Sequence, residues 1–174
     1  MRVLRVLPLV VLVLAASARP ALADATLFIG TSNPSSANNA SRQTTKGFSA
    51  GAGVVIVGVE FEYASTGEDK ERFGPSLNTG VGNVYVQTPI AIAGLQFYAT
   101  TGGGLYREKS TATTAGEIQK TGFTSNTGGG VKISLFGPLK VRLDYRIFKL
   151  LGDKPLPTWG STVQRLYAGV NLGF

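Results

Sequence analysis

The chain of 174 residues carries 17 basic and 10 acidic residues and is 43% hydrophobic, with no cysteine and no histidine. Without thiols there are no disulfide staples, and without imidazoles the commonest general base and the commonest metal ligand are missing. No catalytic, metal or cofactor site is expected, and the length fits a single domain behind any leader.

The first segment has the layout of a secretory signal. Arg2 and Arg5 precede an apolar run from Val6 to Ala16 broken only by Pro8, and Ala21-Leu22-Ala23 offers a small-x-small cleavage site before Asp24. A membrane-spanning helix would need about 20 apolar residues. The expected division is therefore a signal peptide over residues 1–23 and one domain over 24–174. Losing Arg2, Arg5 and Arg19 from the 17 basic residues leaves 14 against 10 acidic ones, a net +4. That charge is scattered along the chain and not gathered into a patch, so no nucleic-acid partner is expected.

Beyond Asp24 the pattern has period two, the signature of strands. Residues 26–30 give a first strand, expected to be the shortest. Next, Phe48, Ala50, Ala52, Val54 and Ile56 oppose Ser49, Gly51 and Gly53, and Val59, Phe61 and Tyr63 oppose Glu60 and Glu62. Residues 77–87 are less regular, with a phase slip near Gly82-Asn83 that predicts a bulge. Leu95, Phe97, Ala99 and Leu105 then oppose Gln96, Tyr98, Thr100, Gly102, Gly104 and Tyr106. Phe123, Val131, Ile133 and Leu135 oppose Thr124, Asn126, Gly128, Gly130, Lys132 and Ser134. The clearest ribbon sets Leu139, Val141, Leu143, Tyr145 and Ile147 against Lys140, Arg142, Asp144, Arg146 and Phe148. The last sets Leu166, Ala168, Val170, Leu172 and Phe174 against Arg165, Tyr167, Gly169, Asn171 and Gly173.

Short connections are expected near Val57-Gly58, at Thr88-Pro89-Ile90 and at Phe136-Gly137-Pro138. Longer polar ones cover residues 31–46, 67–75, 107–121 and 151–160. Strict alternation of long and short marks an up-and-down membrane barrel, with short turns on the periplasmic side and both mature termini there. The fold class is thus all-β: a closed up-and-down antiparallel eight-stranded transmembrane β-barrel.

A water-soluble carrier of lipocalin type would keep its apolar face inside, whereas a membrane barrel turns it to lipid. The opposite face here mixes glycine with long charged side chains, which suits a filled narrow interior better than a solvated coat. Glu60, Glu62, Lys132, Lys140, Arg142, Asp144, Arg146 and Arg165 are therefore expected to form an ionic network across the lumen, centred on Glu62 and Arg142. The runs at residues 78–82, 100–104 and 126–130 read as strand glycines, since no helix follows to make a phosphate cradle. The sequon Asn39-Ala40-Ser41 reads as chance.

With these residues in view, residues 26–174 resemble the small outer-membrane barrels of the outer membrane protein A membrane-domain and outer membrane protein X type. The resemblance rests on the rhythm of strands and loops and on the ending Leu166-Tyr167-Ala168-Gly169-Val170-Asn171-Leu172-Gly173-Phe174. The segment from Gly58 to Tyr63 is also similar to uncharacterised barrel-domain proteins. What the resemblance implies is that Leu166, Ala168, Val170, Leu172 and Phe174 form the signal read by the barrel-assembly machinery. Many members have an aromatic residue two positions before the end, where this chain has Leu172.

The expected function is non-enzymatic: a bacterial outer-membrane protein with a structural, surface-interaction or adhesive role and a filled lumen. Its partners would be outer-membrane lipid and lipopolysaccharide, the assembly machinery during insertion, and an extracellular ligand at the loops, above all residues 31–46. Membrane acyltransferases and deacylases activate a nucleophile with histidine, which this chain lacks. The alternatives are a narrow anion-preferring pore and a soluble periplasmic lipocalin-like carrier.

Overall fold

The computed structural model describes residues 22–34, 42–69, 75–113, 116–152 and 160–174. The leader up to residue 21 and the sequon lie outside them. Eight antiparallel strands form a closed barrel in which every strand pairs with its sequence neighbours and β1 pairs with β8. They are β1 Leu22–Pro34, β2 Gln43–Val54, β3 Val57–Thr66, β4 Ser76–Gln87, β5 Leu95–Thr113, β6 Gly116–Phe136, β7 Leu139–Leu151 and β8 Thr162–Gly173.

The register fixes the geometry. Following paired residues from Asp24 through Gly51, Glu60, Asn83, Gly102, Asn126, Phe148 and Val163 returns to β1 at Pro34, ten residues further along. Eight strands with that stagger tilt by roughly 40° from the barrel axis and leave an interior only wide enough for side chains.

Alternation then sorts the residues as lipid requires. Leu27, Phe61, Phe97, Phe123, Leu143 and Val170 point outward and are exposed, while Arg142, Arg146 and Arg165 are at most 1% exposed. A lipocalin arrangement is the reverse. On β6 outward Phe123 and Leu135 bound a stretch twelve residue steps long on a tilted strand, or roughly 30 Å along the axis, matching a hydrocarbon core.

Several local expectations differ from the structure. The β2–β3 turn is Val55-Ile56, with Val54 paired to Val57, and not Val57-Gly58. Val55 adopts φ 30, and no glycine or proline marks the position. In the β4–β5 connection, Thr88-Pro89-Ile90 only begins a longer path that turns at Ala93-Gly94, both at positive φ. β1 has 13 residues, and β3, with 10, is the shortest strand. Residues 107–121 are mostly strand, because β5 and β6 extend their pairing to Thr113 and Gly116.

No bulge occurs at Gly82-Asn83, since β4 keeps an unbroken register with both neighbours. The apparent slip arises because Leu77 and Val81 face inward while Val84 and Val86 face outward. Inward Leu77 and Val81 join Tyr106, Phe148, Leu150 and Val163 in an apolar cluster that fills the lumen toward the long-loop end.

Candidate functional site

The middle of the lumen holds an ionic cluster built by three strands. β3 contributes Glu60 and Glu62, β7 contributes Arg142, Asp144 and Arg146, and β8 contributes Arg165, so three acids face three guanidiniums. Arg142 pairs with Glu60 and reaches Asp144 at 2.9 Å. Arg146 donates to Glu60 at 2.7 Å and to Asp144 at 3.0 Å, and its Nη1 lies 3.1 Å from Glu62. Arg165 donates to Glu62 at 3.1 Å and to Thr79 at 3.1 Å. All six side chains are buried. Buried charges persist only when opposite charges and hydrogen bonds replace water, and every carboxylate here has a guanidinium partner.

The strand stagger explains who meets whom. A half-circuit from Glu60 reaches Phe148 by way of β4 to β6 and Pro138 by way of β2, β1 and β8. The residue level with Glu60 is the midpoint, Leu143, whose inward neighbours are Arg142 and Asp144. By the same count Glu62 is level with Tyr145, between Asp144 and Arg146. The expected Glu62–Arg142 centre is therefore corrected: Arg142 belongs to Glu60, while Glu62 belongs to Arg146 and Arg165.

Two predicted members stand apart from the cluster. Lys132 pairs with Asp24 on the far wall, its ammonium 5.4 Å from the Tyr85 ring centroid. Lys140 is half-buried at the terminus end, where it lines a vestibule of about 260 Å³ with Asp24, Gln87 and Gln96. Asp24 and Glu108 were not expected inside. Their inward placement brings the lumen's acids and cations closer to balance, which weakens the case for an anion-preferring pore.

Two tyrosines complete the cluster and were not anticipated as members, and a third, Tyr85, lies under the Lys132 ammonium. Tyr98 donates to Asp144 and accepts from Arg142 Nε at 2.6 Å, and Tyr167 donates to Glu62 at 2.9 Å. Tyr85 caps the terminus side. Alternation had already put Tyr98 and Tyr167 on the inner face; the glycines opposite were the unused signal. A Cβ at Gly130 would lie 2.6 Å from the Tyr98 hydroxyl, and one at Gly58 would lie 2.3 Å from the Tyr85 ring. Glycine there makes room for a ring.

On β8, Leu166, Ala168, Val170 and Leu172 form one exposed outward stripe, continued by exposed Phe174. They lie on the face opposite the ionic cluster.

A closed antiparallel barrel with an apolar exterior and an interior holding buried ion pairs defines the class: a small eight-stranded barrel of outer-membrane type. No protein-family model and no curated protein matches the sequence. Solved structures do match in fold. Neisserial surface protein A superposes with a TM-score of 0.72 at 14% identity, covering 87% of this chain and 97% of that one. The N-terminal β-barrel domain of Pseudomonas aeruginosa OprF gives 0.62 at 15% identity, over 88% and 97%. Ail, the attachment invasion locus protein of Yersinia pestis, gives 0.59 at 11% identity in a complex with the heparin analogue sucrose octasulfate, over 90% and 100%. At these identities the likeness is one of fold.

Proposed function

We propose that this chain is a non-enzymatic protein of the bacterial outer membrane, exported by residues 1–23 and anchored by a barrel formed from residues 24–174. Its termini and short turns would lie in the periplasm and its long-loop end outside the cell, where it makes structural or adhesive contacts. The β8 stripe from Leu166 to Phe174 would be the segment engaged by the barrel-assembly machinery. The observation that carries the reading is the inversion of faces: large apolar side chains outside, ion pairs within. Lipid is the solvent in which that inversion is stable.

The lumen's role in this reading is to hold the cylinder and not to conduct. A charge-balanced cluster and an apolar cluster of buried side chains lie in series along it, and this filling supports the reading. No carboxylate of the central cluster is assigned a catalytic role, because each is committed to a guanidinium. Cell fractionation with a heat-modifiable gel shift tests the assignment. Extraction only by detergent, with faster migration before boiling, is expected; release by osmotic shock would overturn it. In planar bilayers the protein should add no conductance above the lipid baseline, and an anion-selective current would replace this reading with the pore.

A further inference from the structure

The outward charges are distributed in a way that the barrel's stability does not require. Among strand residues whose side chains are described, those both charged and exposed are Lys46, Arg107, Lys109 and Lys149. All are basic, and all sit at the long-loop end of their strands. The terminus end of the outer wall has none among the described residues. A solubilising coat would mix signs and occupy both rims. A one-sided cationic rim fits a surface whose anionic groups lie on that side only.

Below this rim the outer wall carries shallow, open depressions between its side chains. Two adjoining shallow hollows, both largely open to the outside, run across β2 to β6 and share Val59, Val84 and Thr101. Gly82 lines one of them, and a Cβ built there meets nothing within 4 Å. Thr101 donates its hydroxyl to the Asn126 carbonyl at 3.0 Å, so the floor offers hydrocarbon no unpaired donor at that point. On the same face of β5, six residues above Thr101, stands Arg107. That is roughly 20 Å of strand, or roughly 15 Å along the axis once tilted, which is half a hydrocarbon core of about 30 Å. A shallow hollow at mid-membrane thus lies on the same outer face as a cation at headgroup height, half a hydrocarbon core above it.

We propose that this face is a lipopolysaccharide site, with acyl chains in the hollow over β3 to β6 and headgroup phosphates on Arg107 and Lys149. Charge complementarity selects the occupant. Guanidinium and ammonium groups at an interface attract phosphate, and a second copy of this chain would bring the same basic rim and be repelled. The inference rests on the orientation given under the proposed function, with the long-loop end outward.

The test uses the full chain refolded in detergent micelles and titrated with bisphosphorylated lipid A or with the same lipid lacking phosphates, retained adducts being read by native mass spectrometry. The parent should retain the phosphorylated form at roughly tenfold lower concentration. Arg107→Glu with Lys149→Glu should erase that difference, and Gly82→Leu, which fills the hollow, should weaken both lipids. Arg107→Gln serves as the milder variant, and a heat-modifiable shift certifies the fold of each. Equal retention of the two lipids by the parent, parent-like binding by the variants, or a dimer without lipid would each overturn the proposal. A heat-modifiable barrel with no lipid preference sinks this inference alone, whereas release without detergent removes the reading beneath it.

Discussion

The two fillings of the lumen exclude water by opposite means. Around Glu60, Glu62 and Arg146 the space is closed by charges that replace hydration with one another. Toward the long-loop end, Leu77, Phe148 and Val163 close it by contact alone. Arg165 joins the two, bonded to Glu62 with its guanidinium carbon 4.3 Å from the Phe148 ring centroid. The contrast teaches that a narrow barrel needs a full interior, while the chemistry of the filling decides how damage spreads. An ionic filling transmits the loss of one member to every partner, and an apolar filling confines it to a cavity.

The largest expected effect comes from breaking the ionic side. Glu62→Ala leaves Arg146 and Arg165 buried with less compensation and should cost about 3–5 kcal/mol, read from the urea midpoint of the refolded protein. An unchanged midpoint would show that the cluster contributes nothing. Leu77→Ala in the apolar cluster should cost about 2–5 kcal/mol, set by how far the cavity collapses. The two differ more sharply in coupling. Glu62→Ala combined with Arg165→Ala should depart from additivity by about 0.5–3 kcal/mol toward recovery, because the second change removes the orphaned charge. Strict additivity would argue that the pair does not interact. Smallest of all, Lys140→Ala should stay within about 0.5 kcal/mol, since Lys140 lies at the vestibule outside the ion pairs. A cost comparable to Glu62→Ala would bring it back into the network.

How much the sequence disclosed follows the same division. On β2, β7 and β8 the wall was legible because lipid demands an apolar residue at every second position while the inner face there is polar. On β4 it was not, because Leu77 and Val81 fill the apolar half of the lumen and blur the alternation into an apparent bulge. The inward charges were legible from residues 139–148 and 60–62. Their partners were not, because pairing depends on a ten-residue stagger that belongs to the closed barrel and to no single strand. Asp24 was hidden by its place beside the expected cleavage site. The turn at Val55-Ile56 was hidden by its lack of turn residues.

The account depends on which face of the sheet meets lipid. The chain has no cysteine, so a single introduced one carries the only label. Nitroxides attached at Ser49→Cys, Ala50→Cys and Ala52→Cys on β2, in the protein reconstituted into bilayers, should differ sharply in power-saturation measurements. Ala50 and Ala52 should show high collision with oxygen and almost none with a water-soluble nickel chelate, and Ser49, beside Glu60, should be shielded from both. Oxygen contact at Ser49 together with nickel contact at Ala50 would contradict the account, because the apolar face would then be meeting water.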